Sequence, residues 1–416
     1  MRTVGIICEY NPFHLGHKHQ IDILRSMGHE CIVCVMSGNY TQRGELTVFD
    51  KYTRAKAAVS CGADVVFELP FPYSSLSAEG FADAGVHILA SLGVETICFG
   101  SECADISILE CAAEAILSPD FKNIYSELQK SGIGSAAAYF EALKRITDND
   151  CSLLSNDILG ISYIASIKKM GTNMSAVAIK REGTGYNDKK LTEGMLPSAS
   201  AIRAAISRSN ESPDILKNFV PESATQIFNE AIYNGIAPVT VDKIGNEILS
   251  FFKLMTPQEI TSRAIARSGN GSCIAEDGCG ICERICHTAK VSKSFEDFIK
   301  NCYTSKYPNA RINRVMLFSL LGVSDMAARN LPEYTTLLAA SIVGREFLSH
   351  ARKTCKFPIV TKPADAPPSS IQKKLGEEAD SFYSSAFPSD IGYDFFIKSQ
   401  PYVQKQAKFE KMANRC

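Results

Sequence analysis

Five short runs of β-branched and apolar residues, separated by stretches with helical spacing, constrain this chain more than any other feature. Residues 4–8, 31–36, 64–69, 95–100 and 175–180 have the length of strands. Residues 16–26, 50–61 and 75–92 have the length and apolar spacing of crossover helices. Strand, helix, strand repeated in this way makes βαβ units, and such units build a doubly wound parallel sheet. A largely helical stretch, residues 105–169, precedes the fifth run, and residues 197–207 read as a helix with a serine near its cap. The α/β domain is therefore expected to span residues 1–207.

Beyond residue 213 the β pattern fades. Residues 214–233, 311–321 (with Gly322 as a stop) and 334–351 read as helices, so residues 208–416 are expected to form a mostly helical second domain. Residues 268–280, rich in Gly, Ser, Asp and Cys, and 362–370, with three prolines, read as loops. A net charge of -1 gives no global attraction to nucleic acid, so RNA binding would rest on local basic patches. No apolar run approaches the roughly 18 residues of a membrane helix, and the N-terminus carries no signal-peptide pattern. A cytoplasmic protein is expected, with its 15 cysteines reduced.

The densest chemistry lies in Glu9-Tyr10-Asn11-Pro12-Phe13-His14-Leu15-Gly16-His17, between the first strand and the first helix. Ligands of open α/β sheets sit beyond the carboxyl ends of the strands, where a helix N-terminus offers free N–H groups to phosphate. His14 and His17, three residues apart, can both face that position and donate hydrogen bonds to an α-phosphate as charge builds on it. Gly16 would let the backbone approach the nucleotide. The competing readings are surface histidines in a turn, or half of a metal site.

H-x-G-H in this place is the signature of the nucleotidyltransferase superfamily, which includes class I aminoacyl-tRNA synthetases and the adenylyltransferases of cofactor synthesis. With it, in order, come VMSGNYTQRGE at 35–45, DVVFELPFPYS at 64–74, FGSE at 99–102, SNDILGISY from Ser155, KREGTGYND from Lys180, PSASAIR from Pro197 and KYPNARINR from Lys306. Together these resemble the bacterial tRNA(Met) cytidine acetate ligases.

The resemblance implies a Rossmann-like domain that activates acetate with ATP, Mg²⁺ accompanying the nucleotide, and transfers the acetyl group to the exocyclic amine of the wobble cytidine of elongator tRNA(Met). It implies His14 and His17 as the catalytic pair. The implied ATP-binding segment is Ile7, Cys8, Glu9, Tyr10, Asn11, Pro12, Phe13, His14, Leu15, Gly16, His17, Lys18, His19 and Gln20, with Gly100, Asn156 and Arg181 as further contacts. Gly100 ends a strand where a side chain would obstruct the nucleotide, and Arg181 offers a planar fork to phosphate. Ser198, Ser200 and Arg203 resemble the second phosphate-binding motif of the superfamily. Helix capping is the other reading for the two serines and for Asn156. Gln42, Arg43 and Glu45 either shape the site or sit on a solvated loop.

Two further patterns compete for attention. Residues 290–294, KVSKS, resemble the lysine loop of class I synthetases, but lie in a helical region while Arg181 and PSASAIR occupy the expected place. Cys273, Cys279, Cys282, Cys286 and His287 carry a C-x-x-C without the two separated knuckles of structural zinc, so no metal is assigned. For tRNA, Lys306, Arg311 and Arg314 are the candidates, the two arginines sharing a helical face. Lys405, Lys408, Lys411 and Arg415 form a basic tail; solvated faces are the alternative for both patches. The rival functions are a small-molecule adenylyltransferase and a non-catalytic RNA-binding protein.

Overall fold

The computed structural model describes residues 1–131, 133–147, 153–181, 199–208, 216–264, 280–304, 307–323 and 330–405. The chain begins β1 (Thr3–Cys8), α1 (Leu15–Ser26), β2 (Cys31–Ser37), α2 (Lys51–Ser60), β3 (Val65–Leu69), α3 (Ala78–Ser91), β4 (Thr96–Ser101). Four helices follow, α4 (Ile106–Leu117), α5 (Pro119–Lys130), α6 (Ser135–Thr147) and α7 (Ser155–Met170), before β5 (Ser175–Lys180) and α8 (Ala199–Arg208). The five strands lie in the order β5-β4-β1-β2-β3, every pair parallel. Every residue of β2 and β3 is buried, because helices cover both faces of the sheet. The chain steps outward from β1 to β3 and then crosses back to β4. That reversal opens a crevice beyond the carboxyl ends of β1 and β4.

The second half is mostly helical: α9 (Glu222–Tyr233), α10 (Gly245–Leu254), α11 (Pro257–Arg263), α12 (Gly280–Val291), α13 (Phe295–Cys302) and α14 (Asn309–Leu321). Phe228 of α9 stacks on Phe49, centroids 4.3 Å apart, which seats the helix against the sheet layer. Gly322, with φ 63°, stops α14 as expected, since only glycine enters that region without a steric cost.

The sequence reading is corrected at 334–351. Thr335–Ala340 forms β6, wholly buried and antiparallel to β3, and only then does α15 (Ile342–Thr354) begin. The short strands β7 (Ile359–Val360) and β8 (Tyr402–Val403) both pair with β6. The sheet therefore does not close near residue 207; its far edge comes from the second half of the chain. Between β7 and β8 lie α16 (Ile371–Ser384) and α17 (Asp394–Lys398). Lys51 of α2 is buried between Glu68 (2.9 Å) and Asp380 of α16 (2.6 Å), a second tie between the two halves. Among the described residues no helix is long and apolar enough to cross a membrane.

Candidate active site

The loop from β1 to α1 delivers two imidazoles into the crevice. His14 is the N-cap of α1, in extended conformation, and its Nδ1 accepts the Gly16 N–H at 3.0 Å. His17 returns the bond, its Nδ1 accepting the His14 N–H at 3.3 Å. This is a capping box in which imidazoles stand where Ser and Glu are usual. A neutral ring that accepts at Nδ1 carries its proton on Nε2, so each histidine keeps an Nε2–H to donate. Burial, then the charges of Arg181 and Arg203, push His14 down to about 3. Burial, then His14 and Arg181, likewise hold His17 well below the usual range. Both rings are neutral donors at physiological pH. A Cβ on Gly16 would lie 2.9 Å from Cε1 of His14, so this glycine makes room for the imidazole, a nearer reason than backbone approach to a nucleotide.

The histidines line a cavity of about 350 Å³ together with Ile7, Cys8, Glu9, Tyr10, Asn11, Gly16, His19, Gln20, Gly100, Asn156, Arg181, Ser200 and Arg203. Four members of the implied segment do not line it. Phe13 is fully buried against Tyr10 and His17, and Leu15 gives its N–H to the Phe219 carbonyl. Lys18 pairs with Asp22 one turn along α1, and Pro12 follows Asn11 through a cis bond. These residues shape the loop and do not face the cavity.

The open alternatives separate. Asn156 is not the cap of α7: Asp157 performs that work, its Oδ2 accepting the Leu154 N–H at 2.8 Å. Asn156 instead lines the cavity and donates to Oε1 of Glu102 at 2.5 Å. Arg203 lines it too and anchors the loop through the Asn11 carbonyl, 2.8 Å away. A Cβ on Gly100 would meet Cγ of Arg181 at 3.1 Å, so the strand end clears space for that side chain. Ser198 lies outside the described residues.

Two contributors, Arg54 and Asp157, escaped the sequence reading. Arg54, fully buried, donates to the carbonyls of Phe49, Glu9, Ser37 and Gly38, and so clamps the loops that leave β1 and β2. Asp157 gathers Ser101 Oγ and the N–H groups of Glu102 and Cys103 on one oxygen, fixing the end of β4. Asn11 accepts the Val48 N–H at 2.9 Å, while its Nδ2 is buried without a partner among the described residues. Gln42 and Arg43 line the cavity, and the Gln42 N–H reaches Oε1 of Glu9 at 2.8 Å. Asp157 stands in SNDILGISY and Arg54 in the helix read at 50–61, but isolated Asp and Arg residues there look like surface charges.

The tRNA candidates divide. Lys306 lies outside the described residues, and the Arg311 guanidinium sits 6.0 Å above the Tyr307 ring. Arg314 leans toward the cavity loop: its Nη1 points at the Gln42 carbonyl, 3.4 Å away, and its Nε is buried without a partner among the described residues. Burial, then Arg311 and Arg43, lower it to about 10. It packs against the cavity loop.

The competing motifs lie elsewhere. In 290–294, Ser294 caps α13 and Ser292 bonds back to Thr288, and none of the five lines the cavity. Cys282 and Cys286 are buried in α12, whereas His287 is exposed; Cys273 and Cys279 lie outside the described residues, as do residues 406–416 of the basic tail.

The chain is similar to known proteins over most of its length. The family model described as HIGH Nucleotidyl Transferase matches residues 1–394. The tRNA(Met) cytidine acetate ligase of Acetivibrio thermocellus is 33% identical over 381 residues, 88% of this chain and 89% of that protein. The enzyme of the same name from Clostridium perfringens is 33% identical over 95% of this chain and 98% of its own. The apo crystal structure of Thermotoga maritima TmcAL superposes with a TM-score of 0.87 at 31% identity, covering 97% of this chain and 99% of that one. The same protein bound with alpha-thio ATP gives 0.84 at 29% identity over the same shares.

Proposed function

Because the chain belongs to the tRNA(Met) cytidine acetate ligase family of HIGH nucleotidyl transferases, we propose that it activates acetate with ATP and transfers the acetyl group to the wobble cytidine of elongator tRNA(Met). The observation that carries the first step is the pair of neutral imidazoles lining one cavity with Arg181 and Arg203. An acetate oxygen attacks the α-phosphorus in line, pyrophosphate departs, and the Nε2–H groups of His14 and His17 meet the charge that builds on the α-phosphate oxygens. Arg181 and Arg203 supply planar, permanently charged forks to the remaining phosphates. No side chain is consumed as a nucleophile.

Mg²⁺ would reach this site on the triphosphate, where it offsets the charge of the departing pyrophosphate. The donor set fits that role: among the described residues Arg181 and Arg203 can meet the phosphates, and Glu9 is the one carboxylate lining the cavity. In the second step the cytidine amine attacks the acetyl carbonyl of the adenylate and AMP leaves. The base must be splayed from the anticodon loop, as single-stranded RNA bases readily are.

Docking of the tRNA is assigned mainly to residues 208–416, with Arg311 as the described basic candidate. A small-molecule adenylyltransferase would not need that half, and a non-catalytic RNA binder would not need the histidine pair with its two arginines. The test is exchange of labelled pyrophosphate into ATP without RNA, across a panel of carboxylic and amino acids. Exchange with acetate supports the proposal; exchange only with an amino acid transfers it to a synthetase.

A further inference from the structure

The cavity is built for anions: Arg43, Lys180, Arg181 and Arg203 line it beside the histidines. ATP and acetate both bring negative charge, yet Glu9 puts a carboxylate on the same wall. Such a group works against both substrates unless it meets a donor of protons. It is also held firmly. Arg54 takes the Glu9 carbonyl, and the Gln42 N–H takes Oε1, while Oε2 accepts no hydrogen bond from the described residues. Its charged neighbours are Arg203, which it shares with His14, and Glu45 and Arg43, while Arg181 neighbours both histidines. The Gln42 N–H ties Glu9 to the Gln42–Arg43 loop, whose following turn at Gly44 packs on Asn313 and Arg314 of α14.

We propose that Glu9 is the proton acceptor of the acetyl-transfer step, its Oε2 receiving the proton that the cytidine amine must lose. The inference rests on the function proposed above. The amine nitrogen forms a bond to the acetyl carbon, the bond from that carbon to the phosphate oxygen breaks, and AMP leaves with the electron pair. One N–H proton passes to the Glu9 carboxylate and then to solvent, leaving a neutral N-acetylated base. Burial raises the basicity of Glu9, with the Gln42 N–H and Arg203 acting against that rise, and a raised basicity suits a group that takes up a proton.

Glu9→Gln keeps the shape and an oxygen for the Gln42 N–H but cannot take the proton. Acetate-dependent pyrophosphate exchange and single-turnover acetyl transfer to tRNA are measured on the same preparation, so exchange also reports folding. The expected result is a loss in transfer that exceeds the loss in exchange by about 10², within the usual range for a general base. Equal losses in the two steps, as for a group that holds the adenine amine or a metal-bearing phosphate, overturn the assignment. So does transfer that proceeds at the wild-type rate. A wild-type protein that exchanges with acetate but acetylates no tRNA defeats the underlying reading of function, a separate outcome from either.

Discussion

The rings of His14 and His17 stack with centroids 3.7 Å apart, and each accepts at its Nδ1 a backbone N–H of the same helical turn. The capping bonds set the tautomer, so the helix start and the phosphate donors are one device. His17→Ala should slow acetate-dependent exchange by roughly 10² to 10³, the usual loss for one donor to a developing oxyanion. An unchanged rate would remove His17 from the mechanism. The same variant gives up part of the cap, worth about 1 kcal/mol, which a melt can read.

The low basicity of His14 makes stability depend on pH. Its folded-state value, about 3, lies below the ordinary 6.5, so the unfolded chain binds the proton more readily. This contribution is complete above pH 6.5 and is lost as pH falls toward 3. Over that window the slope is about 1.4 kcal/mol per pH unit from this group. His14→Gln should flatten the denaturation midpoint against pH between those limits; an identical profile would contradict a buried, neutral His14.

Arg311 and Arg314 should part company. Arg311→Glu should weaken tRNA binding and lower the salt slope by about one phosphate contact. Arg314→Glu places a carboxylate beside the Gln42 carbonyl in a half-buried position and should cost acetate-dependent exchange far more than Arg311→Glu does. Equal effects on exchange would show that α14 does not support the cavity loop.

Burial works against the Lys51 charge, but Asp380 and Glu68 outweigh it and hold the ammonium charged. Lys51→Met would strand two buried carboxylates and should cost about 3 to 5 kcal/mol in denaturant unfolding. A loss under about 1 kcal/mol would mean that water reaches this cluster.

Much of this was legible in the sequence because it is local. The five parallel strands follow from short apolar runs, and the H-x-G-H reads at once as a helix start beside a strand end. β6 was not legible: TTLLAA is a six-residue apolar run continuous with a helix, and periodicity does not separate the two. Its strand character comes from pairing with β3, some 270 residues earlier in the chain. Arg314 and Arg311 look alike on a helical wheel, and only the approach of the Gly44 turn to Asn313 and Arg314 brings one of them against the cavity loop. Arg54 hides for the same reason, since its partners are backbone carbonyls that any sequence would present.

Acetate-dependent pyrophosphate exchange in the absence of RNA tests the central claim most directly. The wild-type protein should return label from pyrophosphate into ATP when acetate is added, not when amino acids replace it, and His14→Ala and His17→Ala should each suppress that signal. Exchange that requires tRNA or an amino acid, or that persists in both histidine variants, would contradict the account.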